Sequence, residues 1–248
     1  MQEMKPESSS EKRYYRNRIA SSHLCTFNVM IKETDLYISA KQDLSKPARD
    51  ILIRLRHQIE SYISSHRDFL TTLRPYPSDP LAPEIVRDMI EMGRLMNVGP
   101  MASVAGAIAQ YVGEELLKYS DEVVVENGGD TYLNLKKDAT VSLFLGKSSP
   151  WNRLALKIGK AQMPVGVCSS SSKIGHSLSL GKADMVCVIS PSAVLSDAAA
   201  TSFCNRIKKT EDLYKVESWA KHIDQIIGII AVLKDKITVW GDVEILTI

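Results

Sequence analysis

The stretch that most constrains the fold spans residues 122–133, where a short apolar segment breaks into Asn127-Gly128-Gly129-Asp130 and then resumes as a second apolar segment. Two adjacent glycines allow positive φ angles and a close approach to a neighbouring backbone or a ligand, and the aspartate places a carboxylate at that approach. A polar loop between two strands is a position where a binding site can lie. The same pattern is typical of a plain β-hairpin turn, so both interpretations stand at this point.

The charge balance argues against several classes of partner. The chain has 31 Lys and Arg against 29 Asp and Glu, a formal net charge of +2, whereas nucleic-acid-binding proteins usually carry a clustered excess of basic residues. We therefore expect no nucleic-acid partner. No stretch approaches the roughly 18 uninterrupted apolar residues of a membrane span, and residues 1–10 lack the apolar core of a signal peptide. These features predict a cytoplasmic protein with no membrane association.

Length and composition predict one globular unit behind a short tail. The chain has 248 residues, of which 44% are hydrophobic, and this is enough to bury a core. Residues 1–13 are polar, charged and rich in serine, and predict a flexible N-terminal tail. Residues 14–248 are predicted to form a single domain that begins with a β-hairpin, its turn at residues 33–35, and a long amphipathic helix from Ser45 to about Ser65.

Two further helices are predicted before the Gly-Gly-Asp stretch. One starts near Pro83 and runs towards Met96. The other runs from Met101 to Leu117, and its early positions are almost all small. Such a helix lets a strand, another helix or a ligand approach its backbone closely, and tight packing is the more common reason for it.

A serine-rich segment follows a short apolar strand at residues 164–168. It includes Ser169 and Ser170, and His176 lies a few residues further on. Hydroxyls, exposed backbone N–H groups and the positive charge of a neighbouring lysine and histidine suit a phosphate or another anion. A flexible serine loop without a ligand is the alternative.

Asp197 and Thr201 are four residues apart in a predicted helix, so both side-chain oxygens lie on one face near its N-terminus. Such a pair could hold Mg²⁺ or Ca²⁺ if carbonyls and phosphates complete the shell, since these cations choose oxygen ligands. Alternatively, Ser196 or Asp197 only caps its helix and complements the helix dipole.

Three segments together resemble the ApbE flavin-transferase superfamily. They are the small-residue helix at 104–117, the strand ending in Asn127–Asp130, and Ser196–Thr201, which is similar to the family's Ala-Asp-Ala-Leu-Ala-Thr motif. The resemblance implies an α+β fold in which helices pack on antiparallel sheets. In that family the aspartate and threonine of the motif help hold magnesium beside the pyrophosphate of FAD, and FMN is moved onto a threonine of a partner protein. It thus implies FAD or another nucleotide as ligand, with magnesium at Asp197 and Thr201.

The chain departs from the transferases in the small-residue helix. Gly106 stands where they carry a lysine, and Tyr111 where an aspartate follows. The combination of segments 99–109, 126–130 and 175–184 is more similar to an uncharacterised ApbE-like branch of archaea and anaerobic bacteria. Members of that branch have been linked to sulfide-dependent homocysteine formation without an assigned reaction.

Three functions stay open on the sequence. The first is an ApbE-superfamily protein of unassigned reaction that binds a small anionic ligand or flavin nucleotide and serves sulfide-dependent homocysteine formation. The second is a transferase of FMN that depends on FAD and magnesium, and the third is a non-catalytic interaction protein that keeps the fold. Homo-oligomers, a partner protein of sulfur metabolism and enzymatic activity are left open, and no residue is assigned as catalytic. The candidate ligand-binding residues are Asn127, Gly128, Gly129, Asp130, Ser169, Ser170 and His176, and the candidate metal ligands are Asp197 and Thr201.

Overall fold

A computed structural model describes residues 23–143, 145, 149–151, 153–172 and 180–248. The predicted tail at residues 1–13 and the candidate His176 lie outside the described residues. The strands are β1 (Cys25–Ile31), β2 (Thr34–Ala40), β3 (Val123–Asn127), β4 (Asp130–Asn134), β5 (Ala139–Ser142), β6 (Leu154–Ile158), β7 (Val165–Ser170), β8 (Met185–Ser190), β9 (Gly228–Leu233), β10 (Lys236–Gly241) and β11 (Glu244–Thr247). The α-helices are α1 (Ser45–Ser65), α2 (Arg67–Thr71), α3 (Glu84–Met96), α4 (Val104–Leu116), α5 (Ala193–Arg206) and α6 (Val216–Ala220).

The described strands form two antiparallel sheets. Eight of them make one sheet in the order β1-β2-β3-β4-β7-β8-β9-β10, and three make a smaller sheet in the order β11-β6-β5. Each pairing in both sheets is antiparallel. Helices on antiparallel sheets are the α+β fold that the sequence predicts.

The large sheet is covered on both faces at its centre. In β8, Val186 and Val188 pack in a core with residues of α5, whereas Met185, Cys187 and Ile189 pack in another core with the small sheet. Successive side chains of a strand point to opposite faces, so a strand covered on both faces needs apolar residues throughout. This explains why β8 and β9 are continuous apolar runs with every residue buried.

Helix α5 lies against β7 and β8, and its residues from Ala193 to Cys204 are all buried. The approach is close because the contacting residues are small. A Cβ atom added to Gly166 of β7 would lie 2.3 Å from the Cα of Ala193. Among the described helices, none combines the length and hydrophobicity needed to cross a membrane.

The predicted elements differ from the structure mainly at their ends. The third helix begins at Val104 rather than Met101, because residues Pro100–Ser103 form a 3-10 turn and Ser103 leaves helical geometry at φ −122°. The first hairpin turns at residues 32–33 rather than 33–35, with Lys32 at φ 52°. Both differences leave the order of elements unchanged.

Candidate functional site

The Asn-Gly-Gly-Asp segment is the two-residue turn of the β3–β4 hairpin. Asn127 and Asp130 are paired across it, and Gly128 and Gly129 have φ angles of 68° and 119°. Glycine is the residue that adopts such angles without a steric penalty. Cβ atoms added to either glycine would meet nothing within 4 Å. The turn therefore faces open space, as a ligand-binding loop requires, and the hairpin interpretation of its backbone is also correct.

The two ends of this turn are tied to other elements. Asn127 Nδ2 donates to the carbonyl oxygen of Ala105, at the start of α4, over 3.2 Å. Asp130 Oδ1 accepts from the backbone N–H of Ser169, near the end of β7, over 3.1 Å. The turn thus joins the start of α4 to the serine segment that the sequence singles out.

Asp197 caps a helix, but not its own. Its Oδ2 accepts from the backbone N–H of Gly106 over 2.9 Å, so it satisfies one of the unpaired donors at the start of α4. Ser103 makes no side-chain capping bond there, and α5 is capped by Ser192. The alternative that Asp197 caps its own helix is therefore wrong. Ser196 does not cap α5 either, because its hydroxyl bonds to Ser190 Oγ and to the carbonyl oxygen of Gly166.

Helix α4 in turn caps the N-terminus of α5 through Gln110. Its Oε1 accepts from Ser192 Oγ over 3.1 Å and from Val194 N over 3.3 Å, at the start of α5. Each of the two helices therefore supplies a side chain to the N-terminus of the other. This reciprocal capping fixes α5, and with it Asp197, against the start of α4.

Asp130 and Asp197 are both buried and interact electrostatically. Burial raises the pKa of Asp130 to about 7. Burial, and then the charge of Asp130, raise the pKa of Asp197 well above its usual range, against the opposing hydrogen bond from Gly106. Burial and the charges of both carboxylates also raise the pKa of the Cys168 thiol. Two buried carboxylates that interact in this way are unfavourable when both are ionised. The arrangement therefore favours a proton or a cation between them.

Ser170 adds a polar group that lacks a partner. Its side chain is buried, and its Oγ makes no hydrogen bond within the described part of the chain. By the alternation of a strand, Ser170 shares the face of β7 that carries Gly166 and Cys168, and both of these contact Ala193 of α5. Ser170 therefore faces α5. Leaving a buried hydroxyl unpaired costs about 1–3 kcal/mol, which a ligand oxygen in this position would remove.

Thr201 completes the set that the structure brings together. It is buried and lies one helical turn after Asp197, on the same face of α5. We call Asp130, Ser170, Asp197 and Thr201 the carboxylate site. Ser169 reaches the site through its backbone N–H, while its side chain bonds to Cys187 and lowers the pKa of that thiol, which burial raises to about 12.

The side-chain oxygen atoms of the carboxylate site are ligands of the kind that a hard cation prefers. His, Cys, Asp and Glu side chains of the described residues form no group of three or more that could hold a metal ion. A site for zinc or another metal held by such a group is therefore not present there. Magnesium differs, because it is bound through one or two carboxylates together with waters and phosphates. Two carboxylates and two hydroxyls fit that pattern.

Gly106 and Gln110 hold α5 beside the site, and sequence reasoning did not assign them to it. A Cβ atom added to Gly106 would lie 2.3 Å from the carbonyl oxygen of Ala193 and 2.8 Å from Cβ of Asp197. The run of small residues at the start of α4 was the available signal, and tight packing is its cause. Because α5 occupies this space, Gly106, which the resemblance aligns with the lysine of the transferases, has no room for a larger side chain here.

Comparisons with known proteins agree with this architecture. The family model described as AbpE bacteria matches residues 16–230. The chain is 37% identical over 221 residues to a UPF0280 protein of Methanocaldococcus jannaschii, which covers 87% of this chain and 90% of that protein. It is 41% identical over 181 residues to a UPF0280 protein of Methanococcus maripaludis strain C6, which covers 71% of this chain and 73% of that protein.

Solved structures show the same fold at low sequence identity. The flavin transferase ApbE from Vibrio cholerae superposes with a TM-score of 0.58 at 12% identity, over 88% of this chain and 97% of that one. The apo form of the flavinyl transferase ApbE from Pseudomonas stutzeri gives a TM-score of 0.56 at 11% identity, over 88% of this chain and 93% of that one. The chain therefore belongs to the AbpE family and has the fold of the ApbE flavin transferases.

Proposed function

We propose that the protein binds a flavin nucleotide, with FAD as the first candidate, together with a divalent cation at the carboxylate site. The observation that carries the proposal is the unpartnered hydroxyl of Ser170, which lies on the face of β7 towards α5, the helix that carries the buried carboxylate of Asp197. A polar ligand with its own cation would satisfy both groups. The family and the fold support FAD, since the related structures are flavin transferases by name.

Different residues of the chain would bind the cation and the nucleotide. Asp197 and Thr201 would hold the cation, whose charge would offset that of a pyrophosphate. The turn at Gly128 and Gly129 leaves its backbone open on one side, so that a large ligand can approach it. Ser169 and Ser170 would face the anionic part of the ligand, and His176 is proposed for the same part on the sequence pattern alone.

Transfer of FMN onto a partner protein is the second candidate, and one observation weighs against it. The position of the family lysine is Gly106, and α5 fills the space that a side chain would need. We therefore propose ligand binding without transfer by the ApbE route. A part in sulfide-dependent homocysteine formation, with a protein partner, is proposed on the resemblance to the ApbE-like branch alone.

Equilibrium binding of FAD tests the proposal directly. Purified protein is titrated with FAD in the presence of Mg²⁺ and, separately, of EDTA, and binding is followed through the flavin fluorescence. Saturable binding with one flavin for each chain in Mg²⁺ supports the function. A flavin signal that stays unchanged up to millimolar protein would contradict it.

A further inference from the structure

Asp130 and Asp197 differ from two other buried carboxylates, Glu122 and Asp212, which have cationic partners. Glu122 accepts from the backbone N–H of Lys136 and pairs with His23. Asp212 accepts from two backbone N–H groups and pairs with the ammonium of a lysine, Lys215. Within the described residues, Asp130 and Asp197 have backbone donors but no cationic side chain.

A pair of carboxylates without a cation is unfavourable in a folded interior. Burying one charge without compensation is already unfavourable, and the interaction with a second like charge makes it more so. Asp130 is only 8% exposed and Asp197 only 7%, so solvent does little to screen them. The fold holds both in place through bonds to Ser169 and Gly106. It also brings them to one place, because Asn127, which is paired with Asp130 across the turn, bonds to Ala105, the residue before Gly106.

The hydroxyl of Ser170 is an independent observation on the same face of the sheet, because Ser170 follows Cys168 by two residues in β7 and Asp130 of the neighbouring strand lies beside Cys168. Ser170 is 5% exposed, and its Oγ has no hydrogen-bond partner in the described part of the chain. An isolated acidic pair would leave this hydroxyl unpaired. A bound cation with its own water molecules would give it a partner, because magnesium keeps several waters when it binds to proteins.

We propose that Asp130 is a ligand of the divalent cation, so that Asp130 from the β3–β4 turn and Asp197 from α5 together form a two-carboxylate cation site. The cation is of the hard, oxygen-seeking class, Mg²⁺ or Mn²⁺. The inference rests on the cation of the proposed function and is independent of the flavin. It assigns the aspartate of the turn to the metal rather than to the organic ligand, and it makes the site able to bind the cation before any nucleotide arrives.

Titration with MnCl₂ alone, without nucleotide, tests the inference. Free Mn²⁺ is followed by electron paramagnetic resonance for the full-length protein, Asp130→Asn and Glu122→Gln. Glu122 is the matched control, because it is a buried carboxylate at the opposite end of the same hairpin. We expect one Mn²⁺ for each wild-type chain and an unchanged affinity in Glu122→Gln. In Asp130→Asn we expect the affinity to fall by at least the roughly 10–100-fold that the loss of a group behind the ligands costs.

Thermal unfolding in EDTA separates a ligand from a structural residue. If Asp130 is a ligand, Asp130→Asn removes a repulsion in the metal-free protein, so its midpoint is unchanged or higher, and added Mn²⁺ raises it less than it raises the wild type. If Asp130→Asn does not fold, Asp130→Ser, which also lacks the carboxylate, replaces it in the titration. Wild-type affinity for Mn²⁺ in the folded variant overturns the inference, and so does a wild-type protein that binds no Mn²⁺. Flavin binding in either case would leave the proposed function standing.

Discussion

The carboxylate of Asp197 in α5 and the backbone N–H of Gly106 in α4 are joined by a hydrogen bond of 2.9 Å. The bond links residues 91 positions apart in the sequence, and it fixes the acidic side chain beside the Asn-Gly-Gly-Asp turn. Asp197 thus has a structural role in capping α4 and, by our proposal, a role in holding a cation.

Ser170→Ala should weaken flavin binding without weakening the fold. The hydroxyl of Ser170 is buried and unpaired within the described residues, so its removal eliminates an unfavourable group of about 1–3 kcal/mol rather than a bond. We expect a free energy of unfolding that is unchanged or higher, and a lower affinity for FAD with or without Mg²⁺. Urea unfolding and flavin fluorescence measure the two quantities.

Ser196→Ala is the matched control for this change. Its hydroxyl bonds to Ser190 Oγ over 2.9 Å and to the carbonyl oxygen of Gly166 over 3.1 Å. Its loss should lower the free energy of unfolding by about 0.5–1.5 kcal/mol, the net value of a typical hydrogen bond, because Ser190 Oγ keeps its two bonds to Ser192. If Ser170→Ala proves the more destabilising of the two, the hydroxyl of Ser170 has a structural partner and our interpretation of it is wrong.

Gly106→Ala should destabilise the protein. The added Cβ would lie 2.3 Å from the carbonyl oxygen of Ala193, so α5 has to move, and overpacking of this kind costs typically about 1–3 kcal/mol. Gly159→Ala is the control, since a Cβ there would meet only Gln162 Oε1, at 3.8 Å. Thermal unfolding compares them, and equal midpoints would show that the α4–α5 contact is looser than described.

Transfer of FMN to a protein should be weak or absent. The lysine position of the transferases is Gly106, where α5 leaves no space for a side chain. The protein is incubated with FAD, Mg²⁺ and an acceptor protein that carries a flavinylation motif, and the acceptor is then weighed by mass spectrometry, with an ApbE transferase as the positive control. Efficient addition of FMN by this chain would refute the prediction.

Part of the site could be predicted from the sequence because it depends on local pattern. The β3–β4 turn follows from two glycines between apolar runs, and the shared face of Asp197 and Thr201 follows from their spacing of four. The bond from Asp197 to Gly106 could not be predicted in this way. It depends on how α4 packs against α5, and that packing is decided by residues far apart in the chain.

The same limit applies to the sheet. Hairpins such as β1–β2 and β3–β4 join neighbours in sequence, and alternation and turn residues indicate them. Strand β4 pairs with β7 rather than with β5 or β6, which follow β4 in the sequence but belong to the small sheet. Only this non-local pairing brings Ser169 to Asp130. Local pattern therefore names the serine segment and the turn as separate candidates, and only the family resemblance joins them in one predicted site.

Glu122 gives the fold a dependence on pH. Hydrogen bonds from the backbone N–H of Lys136 and from His23 lower the pKa of this buried carboxylate below its ordinary value of 4.5. A lowered folded-state pKa means that the stabilisation is complete above the unfolded-state value and is lost as the pH falls through the folded-state value. The free energy of unfolding of the wild type should therefore fall towards that of Glu122→Gln below about pH 4.5. Urea unfolding across the acid range measures it, and a constant difference between the two proteins would contradict the assignment.

The most direct test of the account is the dependence of flavin affinity on the cation. If FAD and Mg²⁺ share the carboxylate site, calorimetric titration should give an FAD affinity about 5–150-fold higher in Mg²⁺ than in EDTA, a coupling of about 1–3 kcal/mol. Asp197→Asn, which keeps an oxygen acceptor for Gly106, should bind FAD as weakly in Mg²⁺ as the wild type does in EDTA. Equal affinities of the wild type in Mg²⁺ and EDTA, or an Asp197→Asn variant that only unfolds at lower temperature and binds FAD normally, would contradict the account and leave Asp197 as a helix cap alone.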